Sequence, residues 1–259
     1  MCSLTWLRRA DGYELFFNRD ESRRRLPAHP PQLRQRRGVP FLAPLDADAG
    51  GTWLAANAHG LSVALLNGPA PEREPCEPIS RGELVIEMAD ASGTEVVAER
   101  LRLPDLARFR PFQLVALEPG RRLLQARWDG LRLALELLED DARPLSSSSL
   151  DPLGAGRSRR ELLLRMEAEA GELDERLLLG FHASHEPTAG ALSPCMHRDD
   201  AETVSFTRVR VSAALVELGY SPAAPCRGLA PIWLGLERSG ASAGDRSARG
   251  SAAPPGTPP

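Results

Sequence analysis

Three blocks of short β-prone runs, within 1–70, 112–138 and 203–235, are separated by two helical blocks, and this order constrains the fold more than any other feature. The first block opens with apolar, β-branched or aromatic runs at 3–7 and 13–17 around Arg9-Ala10-Asp11-Gly12, and Asp-Gly in that setting signals a hairpin. The second run ends in Asn18-Arg19-Asp20-Glu21. A proline- and arginine-rich stretch over 22–40 reads as irregular. The runs 50–57 and 61–67 predict a second hairpin turning at His59-Gly60, and the prolines of 69–79 mark a loop. Ser80 with Glu83 has the pattern of a capping box opening a helix to about 91, and a short helix is expected over 94–102. Strands follow at 112–117, 121–128 and 131–138, then a small-residue loop at 145–150. Ser158 with Glu161 predicts a second capping box and a helical region to about 180, interrupted near Gly171. Strands near 203–215 and 230–235 complete an ordered domain over 1–236. The segment 237–259, with no large apolar residue from 239 onward, predicts a disordered tail. Segregated blocks of this kind indicate an α+β fold with stacked sheets.

The 259 residues suffice for a sizeable buried core. All 32 basic residues are arginine, and 35 acidic residues bring the formal net charge to −3, which leaves no basic footprint for nucleic acid. The absence of lysine excludes a lysine Schiff base and a P-loop lysine. No apolar run approaches the length of a membrane-spanning helix. Cys2, Cys76, Cys195 and Cys226 form no C-x-x-C pair, so zinc-ribbon and thioredoxin patterns fail. Arg8-Arg9 follow rather than precede the short apolar N-terminal stretch, unlike a secretory signal, and a cytoplasmic protein with reduced thiols is expected. No resident cofactor or metal is expected. His182 and His185 are spaced i, i+3, but no carboxylate or third histidine follows at matching spacing.

Cys2 is the first candidate for chemistry. A small side chain at position 2 permits excision of Met1, leaving one residue with both a thiol and a free α-amine. The amine, with a reference pKa near 8, can act as a base near neutral pH, and the thiol is a nucleophile once deprotonated. Hairpin register decides the neighbours. A two-residue Asp11-Gly12 turn sets Cys2 opposite Glu21; a four-residue loop sets it opposite Arg19; both keep Arg19 and Glu21 on its face, whereas a three-residue loop substitutes Asp20. An adjacent guanidinium favours the thiolate, and a carboxylate can hold the α-ammonium. Taken alone, 18–21 is equally an ordinary charged strand end. Asn67, before Gly68-Pro69, is either a turn residue or a side-chain donor to an oxyanion at the end of a buried strand. Trp53 is a core residue that would adjoin the site if the two hairpins are neighbours.

The residues Met1-Cys2, N-R-D-E at 18–21, G-G-T-W-L at 50–54 and G-x-x-x-x-L-x-N at 60–67 together resemble the NRDE family, that of the transport and Golgi organisation 2 protein. Ser80-Arg81-Gly82, Cys195-Met196-His197 and Thr203-Val204-Ser205 extend the resemblance over roughly 1–235. The family is similar to N-terminal-nucleophile hydrolases of the penicillin and bile-salt acylase type. That implies a four-layer αββα sandwich with two antiparallel sheets packed face to face. It implies Cys2 as nucleophile, Arg19 and Asp20 flanking it, and Asn67 as oxyanion donor, with Asn18, Glu21, Trp53 and His197 as candidate substrate contacts. The implied reaction is attack of the thiolate on an amide carbonyl, an acyl-enzyme, and hydrolysis by water activated through the α-amine. The chain departs from the acylases in having Ser146-Ser147-Ser148-Ser149 where they carry a second asparagine, and Asp151-Pro152-Leu153-Gly154 in place of the Pro-Trp-Pro-Lys-like segment expected next in the family. Their late active-site arginine has no clear counterpart here, with Arg157 and Arg159 as the candidates. A second reading is a non-catalytic carrier of haem or another hydrophobic ligand, with Cys2 and His197 as contacts. The expected partner is thus a small-molecule amide or a hydrophobic ligand.

Overall fold

A computed structural model describes residues 2–71, 74–102 and 105–239. The tail expected over 237–259 lies outside the described residues from 240 onward; Glu237 itself ends the last strand.

The strands are β1 (Cys2–Arg9), β2 (Gly12–Ser22), β3 (His29–Arg36), β4 (Val39–Leu45), β5 (Leu54–Asn57), β6 (Ser62–Asn67), β7 (Phe112–Leu117), β8 (Leu123–Trp128), β9 (Leu133–Leu138), β10 (Leu145–Ser147), β11 (Ala201–Val211), β12 (Leu215–Ser221) and β13 (Ile232–Glu237). The helices are α1 (Gly82–Met88), α2 (Thr94–Arg100), α3 (Pro152–Ala170) and α4 (Glu175–Ala183). They form a six-stranded sheet, β10-β1-β2-β11-β12-β13, and a seven-stranded sheet running β3 to β9 in chain order, antiparallel throughout.

Alternation along the strands builds the layers. Leu4, Trp6, Tyr13, Leu15, Phe17, Val209 and Leu218 of the first sheet bury against Leu42, Leu54, Ala64, Leu66, Val115 and Leu117 of the second. The outer face of the second sheet is covered by Leu84, Val85 and Met88 of α1 and Val97 of α2. Phe16 and Phe206 on the outer face of the first pack against Leu162 and Leu163 of α3 and Leu177, Leu178 and Phe181 of α4. The result is the four-layer αββα arrangement. The Tyr13 hydroxyl crosses between the sheets to Ser62 Oγ at 2.7 Å and to the Gly60 and Leu117 carbonyls at 3.0 Å. No helix among the described residues is long and apolar enough to cross a membrane.

Several expectations are corrected. The stretch 22–40 contains β3, whose Pro30 and Pro31 are tolerated because β3 is a sheet edge and needs no donor on its free side. Part of the 145–150 loop is β10, paired with β1. The run 203–215 is broken by a turn after Val211, and β12 follows it. Neither capping box forms. Arg81 takes the cap position of α1 without a side-chain hydrogen bond, and α3 starts at Asp151, whose carboxylate accepts from Gly154 N at 2.7 Å with Pro152 in the first turn.

The first hairpin pairs Arg9 with Gly12 and Cys2 with Arg19, so the turn is Ala10-Asp11 and not Asp11-Gly12. Gly12 serves a different purpose from a turn glycine. A Cβ there would lie 1.7 Å from the Val211 carbonyl oxygen, so the glycine lets β11 close on β2.

Candidate active site

The hairpin register brings Cys2, Arg19 and Glu21 onto the inter-sheet face of the first sheet. Across the seam, β6 delivers Asn67 at its last residue. The segment before β5 brings Trp53. That segment is pinned to the start of α1 by backbone contact: Thr52 N donates to the Gly82 carbonyl at 3.4 Å, and a Cβ on Gly51 would lie 2.8 Å from the Gly82 carbonyl carbon. The G-G-T-W and Ser-Arg-Gly motifs are thus two halves of one close approach that only glycine allows. Cys2, Arg19, Asp20, Glu21, Trp53 and Asn67 all line a single cleft of about 360 Å³.

Cys2 is 6% exposed and carries a free thiol. Burial pushes its pKa up; the Asp20 carboxylate adds to this, while the Asp20 backbone and the Arg19 guanidinium oppose it. The Arg19 guanidinium stacks 4.3 Å from the Trp53 ring centroid and pairs with Asp46 at 3.0 Å and Glu21 at 3.4 Å. Its charge is largely balanced before any substrate arrives. Arg25 also binds Asp46, at 2.6 Å, closing a charged rim on this side of the cleft.

Asp20 alternates to the opposite face, toward the helices, yet its position near the strand end keeps it in the cleft lining. Its Oδ1 accepts from Thr203 Oγ1 at 2.6 Å, and its Oδ2 lies 3.6 Å from Arg159 Nη2, both side chains of the pair being fully buried. Burial raises the Asp20 pKa, against the pull of Arg159 and Thr203. Arg159 is buried beside Asp20, whereas Arg157 is exposed. Arg159 also donates to the carbonyls of Cys2 at 3.0 Å, Ser193 at 3.1 Å and Ala191 at 3.3 Å. Burial lowers its pKa while Asp20 and Cys2 raise it.

Two expected contacts are not in the cleft. Asn18 points to the helical layer, where its amide donates to the carbonyls of His182 at 2.9 Å and Pro194 at 2.8 Å; it ties β2 to α4. His197 aims its Nε2 between Cys195 and Cys226 and does not line the cleft. In both cases strand or loop direction overrides the proximity suggested by the motif.

Asp46 escapes sequence reading, and Arg81 and Thr203 stand there only as motif pieces without a role. Arg81 lines the cleft and donates to the Pro111 carbonyl at 2.9 Å, but makes no ion pair among the described residues; burial and neighbouring Arg110 lower its pKa. Asp46 is the partner of Arg19. Thr203 bridges Asp20 and Met196 N, accepting from the latter at 2.8 Å. For Arg159 a signal does exist. With Ala155, Leu162 and Leu163 it falls at i, i+4, i+7 and i+8 of α3, a cation inside the buried stripe of a helix. Ser147 sits directly opposite Cys2, its buried hydroxyl making no hydrogen bond among the described residues.

A family model described as transport and Golgi organisation 2 matches residues 1–151. No curated protein sequence matches the chain. Among solved structures, the N-acylethanolamine-hydrolyzing acid amidase ortholog of Caenorhabditis elegans is similar with a TM-score of 0.56 at 13% identity, covering 80% of this chain and 92% of that one. A variant of the conjugated bile acid hydrolase from Clostridium perfringens is similar with a TM-score of 0.52 at 10% identity over 86% and 89%. Penicillin V acylase from Agrobacterium tumefaciens gives 0.50 at 10% identity over 92% and 86%. At these identities the likeness is one of fold, and it is the N-terminal-nucleophile hydrolase fold.

Proposed function

The chain belongs to the transport and Golgi organisation 2 family, and from that premise and the cleft geometry we propose that it is an N-terminal-cysteine amidohydrolase acting on a small-molecule amide. The observation that carries this reading is the convergence of Cys2, Arg19, Asp20 and Asn67 on one cleft at the seam of the two sheets. The names of the three similar structures, a hydrolase, an amidase and an acylase, support the reaction class.

In this mechanism excision of Met1 frees the Cys2 α-amine. The amine takes the thiol proton and the thiolate attacks the amide carbonyl. The Asn67 side-chain amide donates to the oxyanion, with the Ser147 hydroxyl facing the same strand end as Cys2. Collapse of the tetrahedral intermediate breaks the C–N bond, and the ammonium returns its proton to the departing amine. Water, deprotonated by the same α-amine, then hydrolyses the thioester and restores the thiol. Arg159 holds the Cys2 carbonyl, so the nucleophile's backbone is fixed from the side opposite the cleft. Arg81, a guanidinium with no carboxylate partner among the described residues, supplies positive charge in the cleft and suits an amide whose substituent bears a carboxylate. A cytoplasmic setting keeps such a thiol reduced.

The charged lining, with Arg19, Asp20, Glu21, Asp46 and Arg81, fits a polar amide better than the alternative of a haem or hydrophobic-ligand carrier. The test is intact-mass measurement followed by incubation with a panel of N-acyl amides. Loss of the Met1 mass, preferential iodoacetamide labelling at Cys2, and an acyl adduct absent from Cys2→Ala are the expected results. Quantitative retention of Met1, or hydrolysis undiminished in Cys2→Ala, overturns the proposal. A haem titration with no Soret shift tells against the carrier.

A further inference from the structure

Away from the cleft, the fold gathers four soft or borderline donors that are scattered in sequence. His185 follows α4, Cys195 and His197 lie in the loop before β11, and Cys226 lies in the short 3-10 turn Pro225–Arg227 after β12. One donor atom from each of the four lies within 4.8 Å of all the others. His197 Nε2 is 3.6 Å from Cys195 Sγ and 3.3 Å from Cys226 Sγ, and the His185 and His197 rings meet edge to face at 5.0 Å. We propose that His185, Cys195, His197 and Cys226 bind one zinc ion in a tetrahedral two-sulfur, two-nitrogen site, a role independent of the reaction proposed for Cys2.

Distances carry the argument. With Zn–S near 2.3 Å and Zn–N near 2.0–2.1 Å, a tetrahedral ion sets its sulfur and nitrogen ligands about 3.6 Å apart. The two sulfur–nitrogen separations at His197 match this within a few tenths of an ångström. Two thiolates with two imidazoles suit zinc better than magnesium or calcium, which take oxygen ligands. The second shell points the same way. His197 Nδ1 faces Glu202 Oε2 at 3.6 Å, an oxygen that Arg227 also approaches at 3.7 Å, and an isolated β-bridge holds His197 and Glu202 together. With the carboxylate on the Nδ1 side, Nε2 is the ring nitrogen turned toward the two sulfurs, as in a metal-bound histidine. His185 and Cys226 are exposed, which gives the ion an entry path, whereas Cys195 is buried. Binding converts two thiols to thiolates and releases two protons, with no change of oxidation state.

The ion would clamp three segments, those after α4, before β11 and after β12. Met196, between two of the ligands, donates its N–H to Thr203 Oγ1, which in turn bonds Asp20. The site is thus one hydrogen-bond relay from the carboxylate beside Cys2.

Tag-free chain, grown with zinc and purified with a reducing agent, tests this. We expect roughly one zinc per chain after desalting. Replacement by cobalt(II) should give the visible bands of a tetrahedral thiolate–imidazole ion. Cys226→Ser and His185→Ala, at exposed positions that the fold tolerates, should each abolish those bands, while Cys76→Ser should leave them unchanged. Glu202→Gln should weaken zinc binding about 10–100-fold. Less than about a tenth of an equivalent of zinc, together with a featureless cobalt spectrum while thiol titration shows Cys195 and Cys226 reduced, overturns the proposal. Bands that survive both ligand substitutions overturn it equally.

Discussion

Replacing Arg159 by Met isolates the buried pair that supports the cleft. The methionine fills similar volume but removes the guanidinium from a place where both partners are fully buried and where it serves Asp20 and the carbonyls of Cys2, Ser193 and Ala191. Breaking a buried ion pair from one side costs about 3–5 kcal/mol, because the remaining charge loses its main counter-charge in a low dielectric. Here the cost depends on pH, since Asp20 can take up a proton. Its pKa is already raised by burial, with Arg159 as the principal opposing influence. Without that cation the folded-state pKa rises further. The folded state then binds more protons than the unfolded one, so stability falls as pH rises from the unfolded carboxylate range toward the new folded pKa, at up to about 1.4 kcal/mol per pH unit. Urea unfolding of Arg159→Met should therefore show a larger deficit at pH 8 than at pH 5. Asp20→Asn in the Arg159→Met background should recover much of the alkaline deficit. At neutral pH the midpoint temperature should drop by roughly 10 °C, taking about 2–4 °C per kcal/mol for a chain of this size. A loss below about 1 kcal/mol, or one that is the same at both pH values, refutes the assignment of Arg159 and Asp20 as a coupled buried pair.

His182 is fully buried among Phe16, Phe181 and Phe206, bonded to Thr5 at 2.8 Å, and its pKa is lowered to about 3 from 6.5, chiefly by burial. The unfolded state thus protonates first, and the wild-type chain should lose about 2 kcal/mol between pH 6.5 and pH 5, a slope that His182→Gln flattens in denaturant titrations at stepped pH. Thr203→Val keeps the shape but removes the donor to Asp20 and the acceptor of Met196 N, and should cost about 1–3 kcal/mol by thermal unfolding. Gly82→Ala would set a Cβ 2.9 Å from Thr52 N and 3.0 Å from its carbonyl oxygen. Backbone on both sides must move, so a loss of about 1–3 kcal/mol and a displaced Trp53, read from its fluorescence, are expected.

Strand runs and turn residues make most of the two sheets legible in the sequence, because alternation and glycine placement are local signals. The same signals misplace the first turn. Asp-Gly is the stronger turn pair, but Gly12 answers to a contact with Val211, some two hundred residues away. The prolines of β3 hide a strand because an edge strand tolerates what a central one does not. At the site, Cys2, Arg19, Asp20 and Asn67 are legible as motif pieces. Asp46 is not, and Arg81 and Thr203 are legible there only as motif pieces without a role, since each acquires its meaning from a partner on another element. His197 stands beside a cysteine in the sequence, but the cysteine that completes its surroundings, Cys226, comes from beyond β12. Tertiary clusters of this kind leave no spacing to read.

The four residues 18–21 show why the motif is contiguous although its tasks are not. A strand presents successive side chains to opposite faces, so Arg19 and Glu21 enter the seam between the sheets, whereas Asn18 and Asp20 enter the helical layer. Asn18 fastens the strand to α4, and Asp20 is anchored by Arg159 of α3 and Thr203 of β11. The seam-facing pair then meets Trp53, Asp46 and Cys2. One strand therefore couples the outer helices to the cleft, and the thiol and Asn67 stand on different sheets, β1 and β6. Their separation is set by how the sheets pack, through contacts such as the Tyr13 hydroxyl on Ser62 and the tilted pair of Trp53 and Tyr220 at 6.4 Å. A close-packed interior resists small shifts of one sheet over the other, so the large aromatic core is what fixes the distance between the Cys2 thiol and the Asn67 side-chain amide.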